Sequence, residues 1–403
     1  MFELVGIFGG FAVLAILIFL KIDFGKAVMT ATVVLLLVSN PSAEGLEWIL
    51  EITREYETLS LIAIITQIAF LGYLYKDSKQ VIRMIKELRA ALPDRRMVIG
   101  SIPALFGLMP MPGGALVSAP MIDDEGDALG IDNTEKTFLN WWFRHVWFTV
   151  YPLSMGLIFA STISGVNIYK IALFHIPIFV VQLVIGSHWG LRKIDVKNHI
   201  ESDVNPILLI YEILPIIVAL SLNILLSIPF YITLFLAIIV IFLQNRKEYS
   251  LKILPSKFKE GFSIDLLMAA YGIMLFKGII ERLAALEPAV QGLQSYVPLL
   301  IVIMVTAFLI GSLFGHLPGA IGVGFPVLLR LVPVVNVRVV SLLFLFTFLG
   351  YYISPIHLCI ILTIEYFKID LKSFYRRMAK PFSILLVCVI GWLIVTGAFF
   401  LFL

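Results

Sequence analysis

Gly107-Leu-Met-Pro-Met-Pro-Gly-Gly114 and Gly315-His-Leu-Pro-Gly-Ala-Ile-Gly322 decide how this chain is read. Each stands inside a strongly apolar stretch that proline and glycine break. Each is followed by a short apolar run ending in proline, Ala115–Pro120 and Ile321–Pro326, and then by a full-length apolar span. They hold corresponding places in the two halves of the sequence. Paired Gly/Pro interruptions of this kind point to the binding site of a membrane transporter.

Working outward, the 403 residues are 60% hydrophobic and only 14% charged, with a mean hydropathy of +1.00. A soluble domain carries about 25% charged residues. Apolar runs of about 20 residues recur from end to end, so the fold class is an all-α polytopic membrane protein. The net charge of +3 is spread over loops and indicates no nucleic-acid partner. Cys359 and Cys388 lie within apolar spans and read as small core residues, so no disulfide, metal site or cofactor is expected. The N-terminus lacks the basic region of a cleaved signal, and its first apolar run is read as a permanent span.

Ten crossings follow. In residues 1–200 they are Phe2–Leu20, Gly25–Ser39, Thr58–Tyr75, Thr137–Ser164 and Tyr169–Gly190. In residues 201–403 they are Pro206–Leu226, Phe230–Gln244, Ser263–Glu281, Val337–Leu362 and Pro381–Leu403. The interrupted segments 97–122 and 297–332 are each too short for two spans and too rich in Pro and Gly for one straight helix. Two half-helices joined by a tip at mid-membrane fit them, making re-entrant hairpins. The loops 76–96, 246–260 and 365–380 carry seven, five and five Lys/Arg against three, two and two acids. That bias assigns them to the cytoplasm of a cell-membrane protein and puts both termini outside. The Glu-rich loop 44–57 then lies outside. Asp123–Asp127 lies inside and is expected to be a solvated helix start.

Each half has three spans, an amphipathic segment, a hairpin and two more spans. The amphipathic segments are 78–92 and 282–296. In the first, Val81, Ile82, Ile85, Leu88 and Leu92 alternate with Lys79, Arg83, Lys86 and Arg89, so it is expected to lie flat in the interface. Five crossings per half is odd, so the second repeat is inverted and the two hairpins enter from opposite faces. The spans after the hairpins, 137–164 and 337–362, are broken too, at Tyr151-Pro152 and at Ser354-Pro355. Proline frees a backbone carbonyl at such a point.

On these segments the chain resembles the ion-transporter superfamily of gluconate, citrate and dicarboxylate permeases and arsenite and sodium/proton exchangers. Its Gly107–Gly114 segment is most similar to an uncharacterised integral-membrane family, domain of unknown function 401, over nearly the whole chain. The resemblance implies a dimeric scaffold domain, a mobile domain holding the hairpins and broken helices, and elevator-type motion. Carboxylate-transporting relatives often carry Ser-Asn-Thr at the tips, which here read Met-Pro-Gly-Gly and Leu-Pro-Gly-Ala. A ligand is therefore expected to be held mainly by backbone.

The expected function is secondary transport of a small, organic-acid-like anion coupled to H⁺ or Na⁺. The half-helices after each tip present unpaired N–H groups and a positive dipole end. The expected substrate-binding residues are Pro112, Gly113, Gly114, Ser118, Pro318, Gly319, Ala320 and Ser354, with Ser154 and Thr149 as polar helpers. Coupling falls to His316, His357, His145, Tyr151, Pro152 and Pro355. Arg144 is either a counter-charge or, beside Trp141, Trp142 and Trp147, an interfacial anchor, the latter reading being favoured. Lys277 and Glu281 form a pair near the outer end of their span. With no ATP-binding loop, no Gly-x-Ser-x-Gly and no His-Glu-x-x-His, the chain is read as no enzyme. The alternatives are an intramembrane enzyme using Ser354 and His357, and a lipid translocase on the same scaffold.

Overall fold

The computed structural model describes residues 2–92, 94–109, 114–192, 194, 206–249, 252–284, 298–332 and 334–402. Among the described residues the fold is 83% helix, with 19 α-helices and no strand. Bilayer hydrocarbon offers the backbone no partners, so a chain this apolar closes its hydrogen bonds within helices.

The first half contains α1 (Phe2–Phe19), α2 (Phe24–Ser39), α3 (Ala43–Arg54), α4 (Tyr56–Asp77) and α5 (Gln80–Ala91). It continues with α6 (Arg95–Leu108), α7 (Gly114–Ala128), α8 (Asn133–His145), α9 (Met155–Ser164) and α10 (Ile168–Gly186). The second half contains α11 (Pro206–Leu226), α12 (Phe230–Gln244), α13 (Leu254–Gly261), α14 (Ile264–Arg282) and α15 (Leu299–Phe314). It closes with α16 (Leu317–Leu329), α17 (Val337–Tyr352), α18 (Leu358–Phe367) and α19 (Leu371–Val395).

Five of these helices are long and apolar enough to cross a membrane, or six if α13 and α14, bent by 60°, form one span. The remaining expected crossings fall on helices of 10–17 residues. Among these are the pieces of the two broken spans, which begin alike. Asp132 caps α8 through the N–H groups of Thr134 and Glu135, and Asn336 caps α17 through those of Arg338 and Val339. Such caps satisfy N–H groups that a helix start leaves open.

Burial separates inner from outer elements. In α17, 14 of 16 residues are buried; in α1, 4 of 18 are. Phe2, Phe8, Leu225 and Val395 are exposed apolar side chains on outer helices. Inside, α2 packs on α14 and α12 on α4, while α16 packs on α9 and α7 on α18. Glycine lets backbones touch. A Cβ on Gly311 would lie 2.0 Å from Thr347 O, and one on Gly350 only 1.9 Å from Phe308 O, so α15 and α17 meet main chain to main chain.

Several expectations need correction. The last span begins at Leu371, not Pro381. Asp370 caps α19 through the Ser373 N–H, and the bonds from Ser373 hold the Asp370 carboxyl below its ordinary value. Phe374, Met378, Pro381 and Leu385 are buried at helical spacing, so Lys372, Arg376 and Lys380 ride the open face of a helix, while Arg377 pairs with Glu135 of α8 at 2.6 Å. The Glu-rich loop is largely helix α3. The face of α5 that is buried is Gln80, Val81, Met84 and Ile85, packed against α11, while Ile82 is 55% exposed. Arg83 serves this contact by pairing with buried Glu212 of α11 at 2.7 Å. Asp123 and Asp127 lie in the second half of α7 and grip Lys136 at 2.6 and 2.5 Å. Lys277 reaches Glu281 at 3.6 Å, and also Glu57 of α4 at 2.9 Å. Residues 285–296 of the second amphipathic segment lie outside the described residues.

Candidate functional site

The end of the first hairpin's α6, the second hairpin's tip and the two helix breaks meet at one cavity of about 450 Å³. Gly107, Leu108 and Met109 end α6. Gly315, His316, Leu317 and Pro318 form the second tip. Phe148, Tyr151 and Ser154 come from the first break, and Tyr351, His357 and Cys359 flank the second. Phe24, Ser263 and Asp265, at or just before the starts of α2 and α14, complete the wall.

The tip between α15 and α16 is built for a sharp reversal. Gly315 ends α15 with φ +57°, a conformation that favours glycine. His316 Nδ1 then accepts the Gly319 N–H at 3.2 Å, and Pro318 sits in the first turn of α16. A Cβ at Gly319 would meet the Phe24 ring at 2.3 Å, so α16 starts directly against that wall. Ala320 is fully buried behind it. Of the first tip, Pro112 and Gly113 lie outside the described residues.

Arg144 is the basic residue that lines this cavity. It is 5% exposed, and its Nε and Nη1 have no hydrogen-bond partner among the described residues. The guanidinium lies over Gly114, the first residue of α7, where a Cβ would come within 2.5 Å of Nη2. A positive helix N-terminus and a buried cation thus stand side by side. Leaving a buried ion uncompensated costs several kcal/mol, about 3–5 in broken buried pairs. The anchor reading of Arg144 does not hold. Trp141 and Trp142 are core residues, 1% and 0% exposed. Trp142 Nε1 donates to Gln182 O at 2.9 Å, and Trp141 packs on Tyr352 at 4.0 Å between ring centres.

The three histidines differ. His316 faces the cavity and caps α16. His357 lines the cavity but its Nδ1 is 3.1 Å from Tyr351 O, a carbonyl freed by the second break. His145 stands behind the wall, with Nδ1 2.6 Å from Trp141 O. Other carbonyls at the breaks are also taken. Thr149 O is bonded by His175, Phe148 O by Ser154 and Ile353 O by Tyr375. The breaks beside Pro152 and Pro355 are therefore closed partly by side chains, two of them, His175 and Tyr375, from the helices that follow. Sequence reading missed that, because those residues lie on separate helices downstream of the breaks.

Ser154 aside, the hydroxyls expected at the site serve packing. Ser118 Oγ donates to Asn140 Oδ1 at 2.6 Å, and Ser354 Oγ to Ser312 O at 2.5 Å; both are fully buried and neither lines the cavity. Ser354 and His357 therefore form no nucleophile–base pair through Oγ and Nδ1. Thr149 Oγ1 is turned to Val146 O and Gln182. Asp265, in the first turn of α14, faces the cavity, and its Oδ1 accepts the Gly25 N–H at 2.9 Å.

The family profile described as "Protein of unknown function (DUF401)" matches residues 4–397. No curated protein matches the chain.

Proposed function

The chain belongs to the DUF401 family, and we propose that it is a secondary active transporter of a small organic-acid-like anion, coupled to H⁺ or Na⁺. The observation that carries this is Arg144, a buried guanidinium whose Nε and Nη1 have no hydrogen-bond partner among the described residues, at a cavity lined by the end of α6, the second tip and both breaks. An anion there gains charge-assisted bonds from the guanidinium and lies at the positive end of α7. The ligand is thus held by one side chain as well as by backbone. Asp265 and His316, which face the same space, are the groups through which a cation or proton enters the cycle.

In this reading the molecule is two inverted repeats. The crossed packing of α2 on α14 and α12 on α4, and of α16 on α9 and α7 on α18, supports a two-fold relation between the halves. The charge bias puts Ser263 and Asp265 on the cytoplasmic side, so the cavity belongs to an inward-facing state of an elevator-type dimer in the cell membrane, with both termini outside.

The test is uptake by proteoliposomes offered labelled carboxylates under imposed H⁺ and Na⁺ gradients. Wild-type protein is expected to accumulate at least one anion, and Arg144→Gln to retain less than about a tenth of the rate while unfolding at the same temperature. Uptake by Arg144→Gln at the wild-type rate, or no movement of any anion, overturns the proposal. Lipid scrambling or hydrolysis by the same vesicles supports a translocase or an enzyme instead.

A further inference from the structure

Beside the anion cavity three soft donor atoms converge. His145, His357 and Cys359 each bring one donor atom, a ring nitrogen from each histidine and the Cys359 Sγ, and the three atoms lie within 4.8 Å of one another. The two histidines are 0% and 1% exposed, and neither Nε2 has a hydrogen-bond partner. Their other ring nitrogens are committed to the carbonyls of Trp141 and Tyr351. A carbonyl only accepts, so each Nδ1 carries the hydrogen, and in the neutral rings each Nε2 is a bare lone pair. Two buried acceptors left without donors cost stability, and nothing in their surroundings among the described residues relieves it. An imidazole fixed by an Nδ1–H to a backbone carbonyl, with Nε2 free, is the form in which histidine is presented to a metal ion.

We propose that His145, His357 and Cys359 bind one thiophilic d¹⁰ metal ion, Zn²⁺ or Cu⁺, with a further coordination position open to the cavity. Imidazole and thiolate together select such ions. Tetrahedral Zn²⁺ places N and S donors roughly 3.3–3.8 Å apart, given bonds of about 2.0–2.3 Å, so side-chain shifts of about 1 Å close the present set around an ion. His357 and Cys359 both line the cavity, which gives the ion a path in and exposes the remaining position. On binding, the Cys359 thiol gives its proton to water, and the thiolate offsets one positive charge beside Arg144. The site does not depend on transport and stands or falls separately from it.

The full-length protein in detergent, its affinity tag removed, is stripped with chelator and titrated with Zn²⁺, or with Cu⁺ under reductant, and bound metal is counted. One equivalent of either ion is expected. Cys359→Ser and His357→Ala should each weaken it at least tenfold, while Cys388→Ser binds as wild type. Co²⁺ substitution is expected to give a sulfur-to-metal charge-transfer band that Cys359→Ser abolishes at an unchanged unfolding temperature. Binding of neither ion, binding that Cys359→Ser leaves intact, or Co²⁺ without that band overturns the assignment.

Discussion

Gly114 and Arg144 act as a unit, and the glycine is the more informative of the two to change. A Cβ at Gly114 meets only the tip of a flexible side chain, at 2.5 Å. Gly114→Ala should therefore leave the unfolding temperature within a few degrees of wild type. It should raise the half-saturating substrate concentration in proteoliposomes about tenfold by pushing the guanidinium aside. His316 is a second separable residue, because its Nδ1 caps α16. His316→Ala should cost about 1 kcal/mol in unfolding measurements, whereas Asn, a good cap, should cost less than half of that. Arg144 itself was visible in the sequence but misread. Three neighbouring tryptophans suggest a membrane interface, and only packing reveals that Trp141 and Trp142 are core.

The helices that follow the breaks carry part of the fold's precision, since His175 and Tyr375 close carbonyls that proline and the chain reversals expose. Helix contacts made by glycine are equally specific. Gly350→Ala pushes a Cβ to 1.9 Å from a backbone oxygen, which cannot swing away. Gly391 in α19 has nothing within 4 Å of its Cβ position. Gly350→Ala should lose about 3 kcal/mol in thermal unfolding in detergent, while Gly391→Ala should be neutral or gain up to about 1 kcal/mol. Nothing in the sequence separates these two glycines. What was legible at this scale was the set of long apolar runs, with α1, α2, α12 and α14 falling within two residues of expectation. The start of α19 was not, because an amphipathic helix whose open face is basic has the composition of a loop.

Across the whole molecule the charge bias makes a claim about sidedness that labelling can check. Lys86, Lys247 and Glu47 are all exposed. With Cys359 and Cys388 replaced by Ser, a membrane-impermeant maleimide should reach Glu47→Cys from outside intact cells, and Lys86→Cys and Lys247→Cys only after the membrane is opened. Labelling of all three from one side would sink the ten-crossing arrangement. The convergence of hairpins and breaks was foreseeable from their paired positions. The charge they surround was not, since no repeat of it occurs in the second half.

One contact has a mechanical consequence. Arg144 is held at both ends by the first hairpin: a Cβ on Gly107 would lie 2.0 Å from its carbonyl oxygen, and Gly114 lies beneath its guanidinium. The residue is a rung fixed between two rails. Under the proposed transport reading, an ion bound at the guanidinium alters the surroundings of α6 and α7 in a single event, because one residue touches both arms of the hairpin.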